Sequence, residues 1–142
     1  MFVGNYVHSV DEKGRLSLPA KFRERLGASF VTTHGLDGCL FVYPMPEWET
    51  ISNRLRDLST TKSNTRAFSR LFFANAQECE CDKQGRVSLP LHQREHAALS
   101  GETVIIGANS RVEIWSAENW ARYKKLVQSD YEALAEDLQT PI

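Results

Sequence analysis

The chain has 142 residues, 42% of them hydrophobic and 25% charged, the composition of one compact domain with a core of its own. Its formal net charge of −1 excludes a globally basic protein, so any nucleic-acid surface must be local. No apolar run approaches a membrane span, Met-Phe-Val-Gly-Asn does not read as a signal peptide, and three cysteines argue against a disulfide framework, which together predict a cytoplasmic protein.

In chain order, Gly4 to Val10 alternates aromatic and apolar residues and predicts a strand. Asp11-Glu12-Lys13-Gly14-Arg15-Leu16-Ser17-Leu18-Pro19 follows, closed by Arg23. Asp11 can cap the amides of a tight turn, and Gly14 can take the left-handed backbone that closes it. Arg15 to Leu18 alternates polar and apolar as a half-buried strand does. Pro19 opens a short helix from Ala20 to Leu26, and Gly27 ends it. Phe30 to His34 and Cys39 to Tyr43 are two more strands about the turn Gly35 to Gly38. A helix is predicted from near Pro46 to Leu58, with Trp48, Ile51, Leu55 and Leu58 on one face. Ser59 to Asn64 is a polar linker, and a helix follows from about Thr65 to Ala74.

Seventy-one positions after the first motif, Asp82-Lys83-Gln84-Gly85-Arg86-Val87-Ser88-Leu89-Pro90 repeats it, closed by Arg94. Asp82 and Gly85 take the capping and turn-closing roles of Asp11 and Gly14. Thr103 to Ile106 and Val112 to Trp115 mirror the earlier strands, and Trp115-Ser116 precedes Trp120 as Tyr43-Pro44 precedes Trp48. The chain is therefore two copies of one unit. Residues 1–58 form the first repeat, with its core at about 5–47 and a helix after it. Residues 59–75 are linker and helix. Residues 76–142 form the second repeat, with its core at about 76–119 and a C-terminal helix, and the whole makes one folded domain. That last helix is predicted to run from Ala117 to about Leu138. Its stripe of Trp120, Tyr123, Val127, Tyr131, Leu134 and Leu138 is predicted to pack on its own domain, with a subunit contact as the alternative.

Both D-x-x-G-R-φ-S-L-P-x-x-x-R motifs, the opening Met1-Phe2 and Arg66-x-x-x-Arg70-x-x-Phe73-Ala74 resemble the MraZ family of bacterial transcription regulators, within the AbrB/SpoVT/MazE-like DNA-binding class. The resemblance runs from Met1 to about Trp120. Val3 departs from it, standing where an Arg is common, and so does Gln93, a polar residue at an apolar position of the second short helix. The resemblance implies an α+β, mainly β fold: a pseudo-symmetric interlocked β-barrel of swapped hairpins, with flanking helices. It implies a homo-oligomeric, octamer-like ring. It also implies sequence-specific binding to double-stranded promoter DNA, at short direct repeats upstream of the chain's own operon in the division and cell-wall gene cluster. Such a protein would be nucleoid-associated. It implies no cofactor, no metal, no small-molecule substrate and no membrane.

Arg15 and Arg86 are the foremost site candidates, because a guanidinium is permanently charged and forks onto phosphate or onto guanine O6 and N7. The alternative for each is a salt bridge to Asp11 or Asp82 that rigidifies the turn. Lys13 and Arg23 are candidate phosphate contacts, and Arg94 reads as structural. With Lys13, Lys21 and Arg23 against Gln84 and His92 at the matching places, the first turn reads as the more basic, expected to face DNA more directly. Arg54, Arg56, Lys62, Arg66 and Arg70 form a second basic stretch, and Ser129 to Ile142 an acidic tail. Cys79-x-Cys81 with His92-x-x-x-His96 has donors for zinc but lacks zinc-ribbon spacing, so no metal is expected. His34 lies near a turn without a legible partner. No catalytic constellation is present, so an enzyme is not expected. A barrel-fold enzyme and a structural or protein-binding ring remain the alternatives.

Overall fold

Among the described residues the alternating segments of the two halves become eight strands, and each of them pairs with a strand of the other half. The computed structural model describes residues 1–140 and 142. The first half comprises β1 (Asn5–Ser9), β2 (Arg15–Ser17), α1 (Ala20–Leu26), β3 (Phe30–His34), β4 (Leu40–Pro44) and α2 (Met45–Arg56). After α3 (Ser63–Ala74), the second half repeats the order as β5 (Gln77–Cys79), β6 (Arg86–Ser88), α4 (Leu91–His96), β7 (Glu102–Gly107), β8 (Val112–Ser116) and α5 (Ala117–Val127), with α6 (Tyr131–Glu136) at the end.

Six strands form one antiparallel sheet in the order β1-β7-β8-β4-β3-β5. The opening strand of each half is thus carried by the other half, β1 on β7 and β5 on β3. The halves also meet through β4 and β8, with Leu40 opposite Ile114 and Val42 opposite Val112. The fold is α+β with a mainly antiparallel sheet. It is not the closed barrel expected: the ladder ends at β1 and β5, which do not pair with each other among the described residues. The reason lies in β2 and β6, which are three residues each and spend their pairing on one another as a separate ribbon.

Alternation along β4 feeds two cores. Leu40 and Val42 join Phe30, Ile105 and Ile114 on one face, where Leu16, Leu18, Val87 and Leu89 of the ribbon region also pack. Phe41 and Tyr43 join Phe72 and Trp115 on the other, against Trp48, Ile51 and Leu55 of α2 and Trp120 and Tyr123 of α5. Leu40 is fully buried, and burying a side chain of that size contributes about 1.5–3 kcal/mol.

The predicted C-terminal helix changes. The C-terminal helix is broken at Gln128–Asp130, which form a 3-10 turn; Ser and Asp there compete for backbone bonds and favour such breaks. Trp120 and Tyr123 pack on the domain as expected, but Tyr131, Leu134 and Leu138 are exposed, so the stripe packs only in its first half. In the second repeat β5 ends at Cys79, and Cys81 lies beyond it.

Candidate nucleic-acid interface

Each motif folds into the same turn. Asp11 Oδ1 accepts from the Lys13 and Arg15 amides at 2.9 Å each, and Asp11 Oδ2 accepts from Arg15 Nε at 2.7 Å. Asp82 Oδ1 accepts from the Gln84 and Arg86 amides at 2.9 Å each, and its Oδ2 accepts from Arg86 Nε at 2.8 Å. Gly14 (φ 78°) and Gly85 (φ 79°) close the turns from the left-handed region, where a side chain would be strained. These bonds hold both carboxyls below the usual carboxylate range, the Arg15 and Arg86 amides contributing most.

The ion pair read as the alternative to DNA contact is therefore formed in both copies, and it leaves contact possible. Only Nε is engaged. Among the described residues neither guanidinium makes another hydrogen bond, so the terminal NH₂ groups of both are unspent. The carboxylate fixes the rotamer and the fork is what it presents.

The β2–β6 ribbon joins the two tips. Arg15 pairs with Ser88, Leu16 with Val87 and Ser17 with Arg86. Directly opposed residues share a face, so Arg15, Ser17, Arg86 and Ser88 look outward while Leu16 and Val87 are fully buried in the core. Arg15 and Arg86 sit on a diagonal of this face, roughly 7–8 Å apart by the geometry of such pairs and somewhat less between Cβ atoms. Periodicity placed each Arg at a turn tip; that the two tips belong to one surface follows only from the pairing.

Lys13 is exposed beside the first tip, and Lys83 beside the second. The expected excess of positive charge on the first turn does not hold. Asp11–Arg23 contains two acids and four bases and Asp82–Arg94 one acid and three bases, so each stretch has a net formal charge of +2. Glu12 offsets Lys13, and Lys83 stands where Glu12 does.

Arg23 is placed away from the tip beside it. Its Nη1 donates to Leu18 O at 3.1 Å, and the guanidinium lies against Gly85 of the other repeat. Arg94 Nε donates to Leu89 O at 3.0 Å and lies against Gly14. The signal that could have flagged these two was their repetition at one spacing in helices that otherwise diverge.

The cysteines and histidines of the second repeat are not brought together. Cys79 Sγ meets Thr32 Oγ1 at 3.4 Å, while His92 Nδ1 meets His34 Nε2 at 3.2 Å and His96 stacks on His34 with centroids 4.0 Å apart. Among the described residues no three His, Cys, Asp or Glu side chains converge as a metal site would require. Burial raises the Cys79 and Cys81 thiols above their ordinary value, against thiolate ligation. His34, which had no legible partner, is the centre of this cluster.

A family model described as "MraZ protein, putative antitoxin-like" matches the chain twice, at residues 1–71 and 72–140. The chain is 55% identical to a protein named transcriptional regulator MraZ from Heliobacterium modesticaldum, over 97% of this chain and 96% of that one. It is 55% identical to the protein of the same name from Pelotomaculum thermopropionicum (97% and 95% covered) and 54% identical to that from Natranaerobius thermophilus (97% and 96% covered). These relatives are named as regulators and not as enzymes. No helix of the described residues is long and apolar enough to cross a membrane.

Proposed function

This chain belongs to the MraZ family, and from that premise we propose that it is a DNA-binding transcriptional regulator that reads double-stranded promoter DNA through the outward face of the β2–β6 ribbon. The observation that carries the reading is the pair of guanidiniums on that face, each oriented by its own carboxylate with its NH₂ groups unspent. A major groove admits a two-stranded ribbon, and a guanidinium forks onto guanine O6 and N7. Arg15 and Arg86 are the base-reading residues, and Lys13 a phosphate contact. Asp11, Gly14, Asp82 and Gly85 hold the turns. Arg23 is better read as support than as a phosphate contact.

The finer reading follows the family resemblance. The target is a set of short direct repeats in the promoter of the chain's own operon, in the division and cell-wall gene cluster, bound by a cytoplasmic, nucleoid-associated ring of identical subunits. One chain offers two guanidiniums, too few for tight binding at physiological salt, and a ring multiplies them. Crossed pairing of β1 on β7 and β5 on β3 supports taking the two repeats as interlocked swapped units of one domain, around an open sheet.

Footprinting on DNA upstream of the gene, with light scattering of the same sample, tests this. Spaced protected repeats and an oligomer are expected, and Arg15→Ala combined with Arg86→Ala should reduce binding to that of random DNA. Equal competition by random DNA of the same length would overturn the reading.

A further inference from the structure

The two trailing arginines make the same contact in opposite directions. Arg23 sits on α1 of the first repeat, yet a Cβ built on Gly85 of the second would overlap its guanidinium. Arg94 sits on α4 of the second repeat, yet a Cβ on Gly14 of the first would lie 2.7 Å from its Nε. Each guanidinium is half-buried, and each donates to a carbonyl at the end of its own ribbon strand, Leu18 O or Leu89 O. The same strand ends reach across in the backbone: the Leu18 amide donates to Gly85 O at 3.1 Å and the Leu89 amide to Gly14 O at 2.9 Å. Neither arginine forms a salt bridge among the described residues. What each does is lay a flat cation across the glycine that precedes the other repeat's tip arginine.

Resting on the DNA-binding reading of the tips, we infer that Arg94 is a positioning residue for Arg15 and Arg23 a positioning residue for Arg86, each repeat bracing the tip of the other. A planar guanidinium fits between a glycine and a carbonyl in a way an ammonium does not. The bracing explains why both turns need glycine even beyond their φ: the missing Cβ is where the other repeat's arginine lies. It also makes the ribbon a single unit, because loosening either helix releases the opposite turn.

The test is a crossed mutant cycle on the full-length protein, scored against specific and random DNA over a salt series. Arg94→Ala should lower specific affinity by roughly 5- to 100-fold, the worth of one base contact. It should leave random-DNA affinity and the salt slope unchanged, since Arg94 neutralises no phosphate. Added to Arg15→Ala it should cost little more; added to Arg86→Ala it should cost its full amount. Arg23→Ala should show the reverse pairing. Lysine at either position should fail to restore binding. A reduced salt slope with equal loss on random DNA would make these residues phosphate contacts and overturn the proposal, as would coupling to the arginine of the same repeat.

Hydrogen exchange resolved by peptide decides the crossing without DNA. Arg94→Ala, or Arg94→Lys should the alanine variant not fold, should speed exchange in residues 11–15 and leave 82–86 protected. The opposite pattern, or no change in either turn, sinks the crossed support. If the wild type fails to prefer its own promoter, the DNA reading fails while the exchange result still stands.

Discussion

The two repeats agree in their turns and part company in the helices that follow. The turns match bond for bond, from the carboxylate distances to the glycine φ angles. In α1, by contrast, Phe22 is buried against the edges of Phe2 and Tyr6. At the matching place in α4, Gln93 is fully buried and donates Nε2 to Thr32 O at 3.1 Å and to Asn75 O at 2.9 Å. Lys21 and Arg25 of α1 become His92 and His96, which gather around His34. The difference teaches which part of the repeat is held fixed by its chemistry. A turn closed by a carboxylate cap and a left-handed glycine tolerates little variation, whereas a helix that must only fill a gap can do so with an aromatic ring or with a hydrogen-bonded amide. Gln93 accordingly does not spoil the packing of α4. It ties α4 to β3 and to the end of α3, at the cost of one buried oxygen, Oε1, without a partner among the described residues.

The helices should give the largest effects. Phe22→Ala removes a buried ring and should cost about 3–5 kcal/mol. Gln93→Leu removes two hydrogen bonds while relieving the unpaired oxygen, and should cost about 1–3 kcal/mol. Denaturant titration at fixed protein concentration measures both. If Gln93→Leu is neutral or stabilising, the amide is not the tie that its geometry suggests, and α4 packs like α1 after all.

The turns should behave alike where the helices differ. Arg15→Ala and Arg86→Ala should each lose about 1–3 kcal/mol of discrimination between promoter and random DNA, with folding intact. Because the two stretches carry equal net charge and the two arginines share one ribbon face, the single losses should be of similar size in a competition titration. A silent Arg86→Ala beside a damaging Arg15→Ala would restore a functional asymmetry, to be sought then in Lys13 against Gln84.

Much of this was legible because the repeat is written twice. The turn chemistry of Asp11 and Gly14, the strand after it and the short helix after that are all local, and local chemistry is what a sequence displays. The partners were not legible. Nothing in Arg15-Leu16-Ser17 says that its strand pairs with Arg86-Val87-Ser88 of the other repeat, nor that Arg23 leaves its own turn for Gly85. Both are long-range contacts chosen by the packing of the whole. The break at Gln128 is invisible to apolar spacing, which continues through it to Leu138 although the α-helix does not. Equal charge on the two stretches has a simpler origin: Glu12 offsets Lys13, and Lys83 stands where Glu12 does.

The smallest effect expected belongs to the histidines that only the second helix supplies. Desolvation first, then the charges of His96 and His92, lower the His34 pKa from its ordinary 6.5. The groups that face it are those two imidazoles from α4; Leu40, its neighbour on β4, does not titrate. A lowered folded pKa means that the unfolded chain binds the proton more readily. The cluster therefore contributes stability that is complete above about pH 6.5 and is lost as the pH falls through the lowered folded value. Asp11 and Asp82 do not confuse this window, since both are held below 3.8 and lose their protons well before it is reached from the acid side. Melting followed from pH 7.5 to 5 should show the wild type losing stability on acidification, and His34→Asn should flatten that slope while leaving the melting temperature at pH 7.5 nearly as it was. Equal slopes in the two proteins would mean that the protons are taken up elsewhere, and that the second helix differs from the first in packing alone.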